Sequence, residues 1–105
     1  MSGAYINRPF NLGVGETLVI PLNRWSTDDY TLQVDTGGTV ALEGTLDRIN
    51  RGETPTWATV SDKAGAPISA APVGLTVIDE TPLEAVRLTA AAATCTGRFM
   101  QQGHG

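Results

Sequence analysis

Apolar residues alternate with polar ones through most of this sequence, in short runs broken by glycine, proline and acidic turns. Tyr30, Leu32 and Val34 alternate with Thr31, Gln33 and Asp35. Val40, Leu42 and Leu46 are interleaved with Thr39, Ala41, Glu43 and Thr45, and Val86, Leu88 and Ala90 with Arg87 and Thr89. A period of two puts alternate side chains on opposite faces of a pleated strand, so these runs read as half-buried strands and not as helices. Leu18, Ile20 and Leu22 repeat the pattern, as do Cys95, Gly97 and Phe99. Ala90–Ala93 favours a helix by propensity. It is flanked by Thr89 and Thr94 and has no continuing apolar stripe, so it reads as a turn between two strands. Seven to eight short strands, with turn signals at roughly ten-residue spacing, predict an all-β fold: an antiparallel β-sandwich, jelly-roll-like.

The expected core is Leu18, Ile20, Leu32, Val34, Val40, Leu42, Trp57, Leu75, Val86, Leu88 and Phe99. Asp35-Thr-Gly-Gly38 lies between two alternating runs, and its glycines supply positive φ at little cost, which predicts a hairpin. Pro21 lacks a backbone donor, so its strand is expected at a sheet edge. With 105 residues there is room for one core. The sequence divides into an N-terminal arm, residues 1–15, and a single sandwich domain, residues 16–105. Fourteen threonines suit strands. Charged residues make up 17% and hydrophobic residues 41%, the reverse of a disordered composition.

Seven Lys and Arg against eleven Asp and Glu give a net charge of −4. No basic footprint for nucleic acid or an anionic membrane surface is present, so neither is expected as a partner. No apolar run has signal-peptide or membrane-helix length, which predicts a soluble protein folded where it is made. Cys95 is the one cysteine, which excludes a disulfide within these residues.

The residues carry little chemistry. His104 stands between glycines near the end of the sequence, a poor mount for a general base. Cys95 lies in phase with Phe99 on an inward face and has no basic neighbour in sequence to activate it. The acid pairs Asp28-Asp29 and Asp79-Glu80 read as turns, and their spacing matches no calcium loop. Phosphate loops, zinc spacings and nucleophile elbows are all missing. The expectation is a non-enzymatic chain with no catalytic residue, no cofactor and no metal.

Aromatic residues remain as candidates for contact. Tyr5, Ile6, Phe10 and Leu12 lie on a Gly-, Asn- and Pro-rich stretch, and Trp25 sits in the polar run Asn23-Arg-Trp-Ser-Thr-Asp28. These five are the predicted interface, with the arm extended along a neighbouring subunit. The competing reading makes residues 4–7 the first strand of the sandwich. A carbohydrate-stacking role for the aromatics is the alternative from another functional class.

The runs Gly38-Thr-Val-Ala-Leu-Glu-Gly-Thr-Leu-Asp47, Thr56-Trp57, Ala85-Val-Arg-Leu-Thr89 and Thr94–Gly103 resemble small β-sandwich virion structural proteins of tailed bacteriophages. The resemblance covers about two-thirds of the sequence, from Gly38 onward, and consists of strand and turn residues. It departs at Ala90–Ala93 and at Gly97, where a bulkier residue is usual. It implies a capsid decoration, or cement, protein that is made in the host cytoplasm and sits on the virion surface. The implied partners are the major capsid protein and copies of itself, as a homotrimer on the capsid. A tail or baseplate accessory role is the runner-up.

Overall fold

The computed structural model describes residues 6–22, 30–47, 51–78 and 83–101. Eight strands are present: β1 (Ile6–Leu12), β2 (Thr17–Pro21), β3 (Tyr30–Thr36), β4 (Val40–Thr45), β5 (Ala58–Thr59), β6 (Gly74–Ile78), β7 (Ala85–Ala90) and β8 (Cys95–Gln101). They form two antiparallel sheets, in the orders β1-β8-β3-β6 and β2-β7-β4-β5. With consecutive strands crossing between sheets almost throughout, this is a jelly roll. The predicted fold class is the observed one.

That topology corrects the predicted hairpin at Asp35–Gly38. Gly37 and Gly38 do take positive φ, +92° and +64°, but β3 and β4 lie in different sheets, so the turn carries the chain across the sandwich. Among the described strands, only β4 and β5 are neighbours both in sequence and in a sheet. Ala91–Thr94 is a turn, as predicted, and it also crosses between sheets.

The inward residues meet between the sheets. Leu32, Val40, Leu42, Leu88 and Phe99 have no exposed surface, and Ile20, Val34 and Val86 have almost none. Tyr30 and Phe99 stack with ring centroids 6.1 Å apart. Burial raises the Tyr30 phenol above its ordinary value of 10, partly offset by a hydrogen bond with the Leu83 backbone. Below pH 10 the phenol is protonated in both the folded and unfolded states, and its contribution to stability is fully present. Above pH 10 the unfolded chain releases the proton first, so stability falls as pH rises through the folded-state value. The melting temperature is therefore expected to decline above pH 10, and Tyr30→Phe should make that decline shallower.

The arm prediction is overturned for residues 6–12. They form β1, an edge strand in register with β8 from Ile6 opposite Gln101 to Leu12 opposite Cys95. Phe10 and Leu12 are buried, and Ile6 packs against the core. The physical reason is parity. Ile6, Phe10 and Leu12 share one face of a strand, and only Arg8 interrupts the apolar series.

Gly97 is explained by the same packing. A Cβ there would overlap the Gln33 carbonyl oxygen and approach the Phe10 ring at 2.8 Å. The register between β3 and β8 shifts next to this point, between Val34 and Thr36, and the strands close in on each other. Backbone cannot yield as a flexible side chain would. Gly97→Ala is expected to cost about 1–3 kcal/mol, the range for overpacking, read as a lower urea midpoint with an unchanged slope.

The sheet edges at β1, β2 and β6 are blunted. Leu22 donates its N–H to the Glu84 carbonyl, and Ala90 to that of Glu16. Alternation along β2 then turns Pro21, which lacks an N–H, toward the open side. Pro9 stands opposite Arg98 on the edge strand β1. The parity set by the Lys63 N–H to Val77 carbonyl bond, carried across the sheet, turns Pro9 outward too. On the far side, residues 60–71 form a clasp that bonds to both sheets. Val60 donates to Leu42, Leu42 to Ile68 and Ala71 to Val40, all on β4, while Lys63 donates to Val77 on β6. Asp62 holds the tip of the clasp, its Oδ1 accepting from the N–H groups of Ala64 and Ala66, each at 2.9 Å.

Candidate functional site

Among the described residues, three of the exposed large hydrophobic side chains gather at β6. Thr76 and Ile78 point inward, so Leu75 and Val77 point out. With Val73 just before the strand they form a ridge, exposed by 60% (Val73), 71% (Leu75) and 43% (Val77). This corrects the prediction that Leu75 belongs to the core. Apart from Met100 and Pro9, the rest of that sheet's outer face is polar. Arg98 Nη1 donates to Asn7 Oδ1 at 3.0 Å, Gln33 Nε2 to Asp35 Oδ1 at 2.7 Å, and the Thr36 and Thr96 hydroxyls share a 2.7 Å hydrogen bond.

A hollow of about 450 Å³ runs beside the ridge, between β6 and the clasp. Its lining includes Pro67, Ile68, Ala71, Pro72, Leu75 and Val77, with Asp62 and Lys63 together beside them. Asp35 borders a separate, shallower hollow with Gln33, Val73, Gly74 and Leu75.

Trp57 is also corrected. It is not core but half-buried, and it shares the parity of Thr59, which pairs with Glu43 on the outer face of the second sheet. Arg87 lies over its ring, 5.0 Å from the centroid. Arg87 also donates from Nε and Nη2 to Glu43 Oε1, at 2.9 and 2.6 Å. The loop leading to Trp57 is tied by Asp47, whose Oδ2 accepts from Thr56 N–H at 2.6 Å and from the Thr45 hydroxyl at 3.1 Å. Guanidinium, carboxylate and indole form a cross-strand cluster in which the partners satisfy one another.

The predicted interface residues are not brought together on the surface. Phe10 and Leu12 are core, and Ile6 is half-buried against it. Tyr5 and Trp25 lie outside the described residues, as do Asp28-Asp29, Asp79-Glu80 and His104. Cys95 is buried, its Sγ 3.2 Å from the Ala93 carbonyl oxygen and 3.5 Å from Thr39 Oγ1. Among the described residues, no three His, Cys, Asp or Glu side chains are grouped so as to hold a metal ion. The signal for the ridge was present in the sequence but ambiguous. Val73, Leu75, Val77 and Ile78 make both strand parities apolar, so period alone does not say which face is outside.

These features define an eight-stranded jelly roll whose notable surface is an apolar ridge with a hollow beside it. No protein-family model matches the sequence, and no curated protein matches it. The chain is similar in fold to one in a solved structure described as "Bacillus endospore appendages form a novel family of disulfide-linked pili". The TM-score is 0.58 at 20% identity, over 95% of this chain and 85% of that one.

Proposed function

We propose that this chain is a non-catalytic structural subunit of a multi-subunit particle, and in its finer form a decoration protein on the outside of a tailed-phage head. The observation that carries the reading is the Val73–Leu75–Val77 ridge, an apolar patch displayed on a largely polar sheet face. Because the edges are blunted, contact with other proteins falls to faces of the sandwich. Such a subunit adds stability by bridging its neighbours, which takes surfaces and no reacting group. The virion setting is supported by the resemblance from Gly38 onward. The proposed partners are the major capsid protein and copies of the chain itself, clustered at three-fold positions as that resemblance implies. Co-sedimentation with heads assembled without this chain tests it. Saturable binding that raises the heads' melting temperature is expected, with Leu75→Asp binding weakly. Heads that neither bind the chain nor gain stability overturn the virion reading.

A second reading, a subunit that polymerises into an appendage, is favoured by the fold likeness to the pilus chain. Those pili are described as disulfide-linked. Here Cys95 is fully buried, so polymer contacts in this chain would be non-covalent. Filaments in electron micrographs of the concentrated chain would support this reading over the first.

A further inference from the structure

The path of the chain does little to bind β1 to its own body. Among the described strands it hydrogen-bonds to β8 alone, and β8 is the strand farthest from it in sequence. Its other connection is the hinge Gly13–Glu16, which reverses the chain and passes it to β2 in the opposite sheet. We propose that two copies of this chain exchange β1 reciprocally. The hinge straightens, and Ile6–Leu12 of each copy fills the place beside β8 of the other. The proposal deepens the structural-subunit reading by naming how copies join.

A second copy is the occupant by identity. Phe10 and Leu12 are buried in that place, and the ladder runs from Ile6 opposite Gln101 to Leu12 opposite Cys95. A neighbour's Ile6–Leu12 repeats every one of these contacts, which makes strand exchange a low-cost route to dimers. Adding a strand outside β1 is not equivalent, because Pro9 has no N–H to offer there. The side of β1 that faces β8 carries no such interruption.

The hinge and its surroundings suit the exchange. The reversal is held by Gly15 N–H to the Ala90 carbonyl at 2.8 Å, Glu16 N–H to the Gly13 carbonyl at 2.9 Å and Gly13 N–H to Glu16 Oε1 at 2.6 Å. Gly15 takes φ +81° to make it. Val14 is 62% exposed on this hinge. The Gly15–Ala90 bond sets it beside the next turn, where Ala91 and Ala92 are exposed as well. A two-fold axis through the straightened hinges brings these small, uncharged side chains of the two copies together. The exposed valine and the alanine run then cover one another.

Concentration decides which state prevails. The short hinge holds β1 near its own β8 at an effective concentration on the order of millimolar, so the dilute chain is a monomer. Copies packed at comparable concentration in a particle exchange strands.

Asn7 lies opposite Met100 on the outer face of the sheet. A full chain carrying Asn7→Cys and another carrying Met100→Cys are unfolded together, refolded at millimolar concentration and oxidised. A disulfide between the two different chains is expected. Asn7→Cys with Thr96→Cys, which is out of register, should not link, because the Cα atoms are too far apart. A β-branched side chain fits the left-handed φ of Gly15 poorly but an extended hinge well. Gly15→Val should therefore tighten dimerisation at least about tenfold in sedimentation equilibrium. The cross-link uses the native hinge and decides the matter even where Gly15→Val does not fold. Refolded chains that stay monomeric, cross-links that ignore register, or a folded Gly15→Val chain with no gain in dimer overturn the proposal. A monomer that still binds phage heads sinks only the exchange, and an exchanged dimer that ignores heads sinks only the virion reading.

Discussion

Phe99→Ala is expected to lower the stability of the folded chain by about 3–5 kcal/mol, the range for truncating a buried aromatic. Phe99 has no exposed surface, lies on the central strand β8 with Arg8 on one side and Leu32 on the other, and stacks on Tyr30. Its cross-strand neighbours come from both β1 and β3, so the cavity is not closed by the shift of one side chain. The loss is a large share of the ~5–15 kcal/mol that holds an ordinary domain together. Denaturant titration followed by Trp fluorescence reads it, and an unchanged midpoint would mean that Phe99 is not packed between the sheets.

Deleting residues 2–12 should have the larger effect, abolishing the cooperative unfolding transition. An arm used only for docking could be removed without harm. These residues instead hold β1, whose ladder with β8 runs the full length of that strand, and they supply the buried Phe10 and Leu12. Each of those side chains alone is worth about 2–5 kcal/mol. Their joint removal also uncovers one whole side of β8. Circular dichroism and calorimetry of the truncated chain decide the matter. A sharp melt close to that of the intact chain would restore the free-arm reading.

How far the sequence spoke depended on whether one parity of each strand was clearly apolar. In β3 and β7 it was, and Tyr30, Leu32, Val34, Val86, Leu88 and Ala90 are all buried as their alternation implied. The edge position of Pro21 was legible because a missing N–H has few places to go. In β1 the same parity existed in Ile6, Phe10 and Leu12, but Arg8 and Pro9 masked it. In β6 both parities were apolar, and the choice fell the wrong way at Leu75. Trp57 was misplaced because β5 has only two residues, Ala58 and Thr59, too short a run to carry a phase. The turn at Asp35–Gly38 shows a different kind of limit. Its glycines adopt the backbone that local chemistry suggests, yet whether β3 turns back on β4 or crosses to the opposite sheet depends on partners far along the chain, such as Gly97, which pairs with Val34. The ridge and its hollow exist only after β6 has been set against the clasp, so neither was legible as a site.

The position of β8 also bears on how the chain reaches this state. The last of these eight strands in sequence is not an edge. It lies between β1 and β3 and hydrogen-bonds to both. Until it is made, β1 has no partner in its own sheet, and β3 is paired only with β6. The second sheet can be completed earlier, because all four of its strands precede β8. Assembly in order of synthesis therefore leaves half a sandwich with its apolar inner face open, waiting for one strand to slide into a central slot. Pairings this distant along the chain place such folds among slow folders. During that interval the outward Pro9 interrupts the outer edge of β1, while the edges of β1 and β3 that β8 will bridge stay open to a neighbouring copy's strand.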